Sequence, residues 1–83
     1  TLAQSILEAL PLAMERGVQS SEATHLCQMH QEWIQLYWPT YHKEAHLALC
    51  RMYTEDSRFT AYYDKVKTGA AQFLFDAMAI YLT

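Results

Sequence analysis

The stretch His46 to Asp64, HLALCRMYTEDSRFTAYYD, constrains the fold most, because it has to hold two helices at a corner. Ala45, Ala48, Leu49, Met52 and Tyr53 recur at i, i+3, i+4, i+7 and i+8, the spacing of a helix that buries one face. That helix should stop near Tyr53 or Thr54. Asp56 then stands where an N-cap is needed, since its carboxylate can accept the free backbone N–H groups of Ser57, Arg58 and Phe59. Phe59 and Tyr63 of the second, short helix should point back into the core. So short a connection fixes the angle between the two helices, and the rest of a small domain must pack against them.

The other segments also read as helices. Leu2, Ile6, Ala9, Leu10, Ala13 and Met14 repeat at helical spacing, with Gly17 placed to end the element. Pro11 predicts a kink or a restart around Leu10, because it removes one hydrogen bond and crowds the preceding turn. Ser20 or Ser21 can cap a second helix whose face is Ala23, Leu26, Cys27, His30, Trp33, Ile34 and Tyr37. Pro39 disfavours helix at Trp38 and closes it. With Thr40 as the next cap the connection is two or three residues, which predicts roughly antiparallel neighbours. The last helix begins around Gly69. It is apolar on two faces, Ala70, Phe73, Leu74, Ala77 and Tyr81 on one and Ala71, Phe75, Met78 and Leu82 on the other, which places it at the centre. The fold class is all-α, a compact bundle of about five helices around that C-terminal helix. No strand pattern and no repeat competes with it.

An 83-residue chain makes one core, so residues 1–83 read as a single domain. It starts at Thr1 without an initiator Met and is expected to be a fragment of a longer protein. Apolar residues make up 52%, with six Tyr, three Phe and two Trp, more rings than a small sphere can hide. Some of them should line a groove. The net charge is −3 and the six bases form no continuous run, so direct nucleic-acid contact is not expected. No segment reaches the roughly 20 apolar residues of a membrane span and no secretory leader is visible, which reads as cytoplasmic. Cys27 and Cys50 fall inside helices and are expected reduced and buried.

Three constellations bear on chemistry. His42, His46 and Cys50 form a row at i, i+4 and i+8, but its ends are about 12 Å apart along a helix, too far to converge on one zinc ion. Satisfied histidines without a metal are the expectation, and a zinc-linked sensor is the minor alternative. Cys50 beside His46 lacks an orienting third group and an oxyanion hole, so no nucleophile and no enzyme is expected. Trp33, Tyr37, Trp38 and Tyr41 can either seal the end of the bundle or form a groove for a ring-rich ligand. Arg58 with Asp64 or Asp76 reads as a structural ion pair.

Taken together, Ala13-Met14-Glu15-Arg16-Gly17, Ser21-Glu22-Ala23, His30 and Trp33, His46, Met52-Tyr53-x-x-Asp56-x-Arg58-Phe59, Tyr63-Asp64, Gly69 and Asp76-Ala77 resemble the TipAS-type antibiotic-recognition domain. That domain is the C-terminal, ligand-sensing part of certain regulators of the mercury-resistance (MerR) type. The resemblance runs from about Leu10 to the end and gives structural weight to Met52, Tyr53, Asp56, Arg58, Phe59, Asp64 and Gly69. It implies a globin-like fold that binds thiopeptides or other bulky hydrophobic drugs in a cleft, without a cofactor. It also implies a parent homodimer, joined by a coiled coil, whose separate N-terminal domain binds promoter DNA. A thiopeptide sensor of this family carries, two residues after the position of His46, a cysteine that bonds to the antibiotic's dehydroalanine. Here that position is Ala48, and Cys50 lies about 200° further round the helix. Reversible binding is therefore expected. Thr68 stands where relatives carry Pro, which should loosen the start of the last helix. The expected ligand-binding residues are His30, Trp33, Tyr37, Tyr41, His46 and Ala48, with the ligand between the second, third and C-terminal helices. A protein-interaction or stress-sensing module without an antibiotic is the alternative.

Overall fold

A computed structural model describes residues 1–83 as five helices: α1 (Leu2–Arg16), α2 (Ser21–Tyr37), α3 (Lys43–Glu55), α4 (Ser57–Asp64) and α5 (Ala70–Tyr81). α5 touches all four others, as its apolar circumference requires. Its buried residues Ala70, Ala71, Ala77, Leu74 and Met78 are mostly small, which lets neighbouring backbones come close. No helix is long and apolar enough to cross a membrane.

The caps explain where the helices begin. Thr1 and Gln4 form a capping box at α1. The Ser20 hydroxyl accepts from the Ala23 N–H at 3.1 Å and donates to the Gly17 carbonyl at 2.7 Å, locking the turn into α2. Asp56 ends α3 through its N–H to the Met52 carbonyl at 2.8 Å and caps α4 by accepting from the Arg58 N–H at 3.0 Å. Gly69 has φ of +91°, a left-handed conformation that L side chains rarely adopt, and offers no side chain to cap α5. Asp64 serves instead, its carboxylate accepting from the N–H groups of Gly69 at 3.2 Å and Ala71 at 3.0 Å. Asp64→Ala leaves both donors without a side-chain partner. The expected loss is about 1–2 kcal/mol, read as a lower urea midpoint with an unchanged slope.

The structure corrects several expectations. α1 does not restart around Leu10 but continues as one helix through the exposed Pro11, where water can take the hydrogen bond that the proline withholds. α3 starts at Lys43 with His42 at the N-cap position, not at Thr40. The longer connection holds Tyr41 with its hydroxyl against His46, and α2 and α3 do not pack backbone against backbone. α2 lies mainly on α1 and α5, while α3 lies on α4 and α5. The buried stripe of α3 is His46, Cys50 and Tyr53, whereas Ala45 and Ala48 are exposed. Tyr37 is 68% exposed and Phe59 37%, so neither is core. Arg58 pairs with Asp56 at 3.0 Å rather than with Asp64 or Asp76, because Asp64 is engaged at α5 and Asp76 accepts from Gln72.

Candidate functional site

An open, predominantly apolar cleft of about 450 Å³ lies between α1, α2 and α4, with Tyr53 at the end of α3 also lining it. α1 contributes Ala3, Ile6 and Leu7, and α2 contributes Trp33. Phe59, Tyr62 and Tyr63 come from α4, at i, i+3 and i+4, so one short helix presents three rings to one side. Tyr53 of α3 completes the aromatic wall. Its ring lies 5.5 Å from Phe59 at 27° and 4.8 Å from Tyr63. Arg58 at the rim is the single charged lining residue, and Asp56 holds its guanidinium.

A buried polar chain runs behind that wall. His30 on α2 and His46 on α3 are both fully buried. Nδ1 of His30 and Nε2 of His46 are 2.7 Å apart, with ring centroids at 4.9 Å and planes 9° apart. At so short a nitrogen separation, centroids that far apart require the rings to meet end to end in nearly one plane. One imidazole N–H therefore points along the other's lone pair. Nδ1 of His46 is 2.6 Å from the Tyr41 hydroxyl, and Nε2 of His30 is 3.5 Å from the Tyr53 hydroxyl. All four imidazole nitrogens are thus engaged, and no buried side-chain nitrogen or oxygen lacks a partner. Burial, aided by the charge of His46, lowers the pKa of His30 to about 3, and burial lowers that of His46 to about 4. Both histidines are neutral at physiological pH.

Of the expected ligand-binding residues, the cleft takes in Trp33 alone. His30 and His46 stand behind its wall. Tyr37 packs edge-on to Trp33 at 5.4 Å on the outer surface, Tyr41 sits at the far end of the polar chain, and Ala48 is exposed on α3. The cleft lies between α1, α2 and α4, and α5 contributes none of its lining. Sequence reasoning missed the α1 wall and the α4 rings. The ring spacing in Phe59-x-x-Tyr62-Tyr63 was the available signal.

His42 is exposed and takes no part in a cluster with His46 and Cys50. His30 replaces it, with ligand atoms of His30, His46 and Cys50 all within 4.8 Å of one another. The two imidazoles point their nitrogens at each other rather than at a common third point, which is the geometry of a shared hydrogen bond. Both cysteines are free and buried, and burial pushes each thiol up to about 12, which suits inert packing residues rather than nucleophiles.

No curated protein and no solved structure is significantly similar to the chain. The profile of the TipAS antibiotic-recognition domain matches residues 1–81, from the first turn of α1 to the last residue of α5. The chain therefore belongs to the TipAS antibiotic-recognition domain family, a ligand-binding regulatory family rather than a catalytic one.

Proposed function

We propose that these 83 residues are the effector-binding domain of a longer MerR-type transcriptional regulator, and that the domain reversibly binds a bulky, hydrophobic, thiopeptide-like antibiotic at the α1–α2–α4 cleft. The observation that carries this reading is the cleft itself, open to solvent, with an aromatic wall facing an aliphatic one. An open apolar cleft also weighs against the rival reading as a protein-interaction module, which a flat, filled groove would have favoured. Reversibility follows from the thiols. Ala48 offers none, and the Cys50 thiol is fully buried and protonated.

Relay to promoter DNA is part of the same proposal. A ligand held between α1 and α4 ties the first helix of the domain to the corner built by α3 and α4. It therefore favours whichever arrangement brings those helices together. In the whole regulator, a homodimer through a coiled coil, that bias would pass to the DNA-binding domains, and this domain would make no nucleic-acid contact of its own.

Titration of the domain with a thiopeptide, followed by Trp fluorescence and amide NMR, tests the reading. Saturable shifts on α1 and α4 are expected. Trp33→Ala should weaken binding about tenfold or more, the cost of removing one large aromatic contact, with helicity retained. Unchanged affinity in a folded variant would remove Trp33 from the site. A thiopeptide adduct on Cys50 in the mass spectrum would end the reversible mechanism.

A further inference from the structure

We propose that Tyr41 is a positioning residue for the cleft, acting through His46 and His30 on Tyr53: the four side chains form one hydrogen-bonded row whose donor direction is set from the Tyr41 end. Its bearing on ligand binding rests on the cleft being the binding site, as proposed above.

Both imidazoles are fully buried and neutral, and no carboxylate pairs with either. A neutral imidazole has one N–H and one bare nitrogen. Across the 2.7 Å contact one ring must donate and the other accept, so the state of Nδ1 of His30 dictates that of Nε2 of His46. Two arrangements satisfy this. In the first, both rings carry their proton on Nε2: His46 donates to His30, Nδ1 of His46 accepts from the Tyr41 hydroxyl, and Nε2 of His30 donates toward the Tyr53 oxygen. In the second, both carry it on Nδ1 and every donor in the row reverses.

The distances select the first. The Tyr41 oxygen lies 2.6 Å from Nδ1 of His46, closer than the roughly 2.9 Å usual when an N–H donates, which suits a hydroxyl donating to a bare nitrogen. At the other end the Tyr53 oxygen is 3.5 Å from Nε2 of His30, too long to compete for the direction. Tyr41 therefore keeps the proton of His46 on Nε2, His46 keeps that of His30 on Nε2, and the Tyr53 hydroxyl ends the row as an acceptor. Hydrogen bonds in such a chain polarise one another. Tyr41 hydrogen-bonds to neither His30 nor Tyr53, so its influence passes through the pair.

The two ends stand in different places. Tyr53 belongs to the cleft wall, its ring centroid 4.8 Å from that of Tyr63 and 5.5 Å from that of Phe59. Tyr41 lines a separate, more polar cavity of about 590 Å³ with Gln31, Lys43 and Glu44. A partner there that takes the Tyr41 proton removes the donor that sets the direction, and the change arrives at the cleft.

Nitrogen–proton correlation NMR of the imidazole rings tests this in the ligand-free domain. In the unaltered chain His30 and His46 should both carry the proton on Nε2. Tyr41→Phe costs the first arrangement its shortest hydroxyl hydrogen bond, so it should raise the Nδ1–H fraction on both rings together and shift the Tyr53 ring signals. Tyr53→Phe removes only the long contact and should leave both rings as they were. Different tautomers on the two rings overturn the row, as does a Tyr41→Phe change confined to His46 or absent from both. Protons on Nδ1 of both rings in the unaltered chain overturn Tyr41 as the end that sets the direction. Tyr41→Phe should also weaken thiopeptide binding at least threefold with helicity retained. Tautomers that move while that affinity holds overturn the positioning role. If the unaltered domain binds no thiopeptide, the antibiotic reading fails, while the row is decided by the tautomers alone.

Discussion

Lowering the pH from 7 to 5 is expected to cost the folded domain about 3–4 kcal/mol, through His30 and His46. In the unfolded chain each histidine takes a proton near its ordinary pKa of 6.5, whereas in the fold His30 waits until about 3 and His46 until about 4. Between those values the unfolded state binds more protons than the native state, so stability rises with pH in this window. It is fully present above 6.5 and drains away below it. Each histidine contributes up to about 1.4 kcal/mol per pH unit in the window, which sets the size of the effect. Two observations check it: the urea midpoint at pH 7 and pH 5, and the imidazole proton shifts of the folded domain. Those of His30 and His46 should hold constant down to pH 5. A midpoint that does not move would mean that the buried pair accepts a proton without penalty.

The same pair shows what was legible in the sequence and what was not. Features written within three or four residues were readable: the Ser20 and Asp56 caps and the stop before Pro39 each depend on chemistry that neighbours in the chain supply. The all-round apolar pattern of α5 likewise dictated its central position. The inward face of α3 was not readable from spacing. Apolar periodicity selects Ala45 and Ala48, yet the chain buries His46, because a partner sixteen residues away on another helix satisfies its nitrogen. Nothing within α3 announces that partner. Arg58 failed for the opposite reason: Asp56, two residues away, outcompetes every distant carboxylate. The cleft depends on still longer range, since Ala3 and Leu7 come to line one cavity with Phe59 and Tyr62 only once the whole bundle has assembled. The ring triad on α4 was visible as a pattern, but its facing wall belongs to tertiary structure.

Replacing His30 by Leu, a residue of comparable bulk, should destabilise the domain by about 2–4 kcal/mol even though the core becomes more apolar. The loss comes from what is left behind. His46 is fully buried, so its Nε2 has no water to turn to, and the Tyr53 hydroxyl loses its link as well. Leaving a buried polar group without a partner costs about 1–3 kcal/mol, more than a made hydrogen bond adds. His46→Leu should act similarly, stranding Nδ1 of His30 in turn, while the half-buried Tyr41 hydroxyl can turn to solvent. The double variant decides between this account and simple loss of packing. If the cost lies in the orphaned nitrogens, removing both histidines leaves fewer of them than the two single variants combined. The pair should then be less damaging than the sum by about 1–3 kcal/mol. Additive losses in urea titrations would mean that the two rings act as separate packing residues and that their shared hydrogen bond contributes little. The double variant should also lose the acid sensitivity described above, because neither titrating group remains.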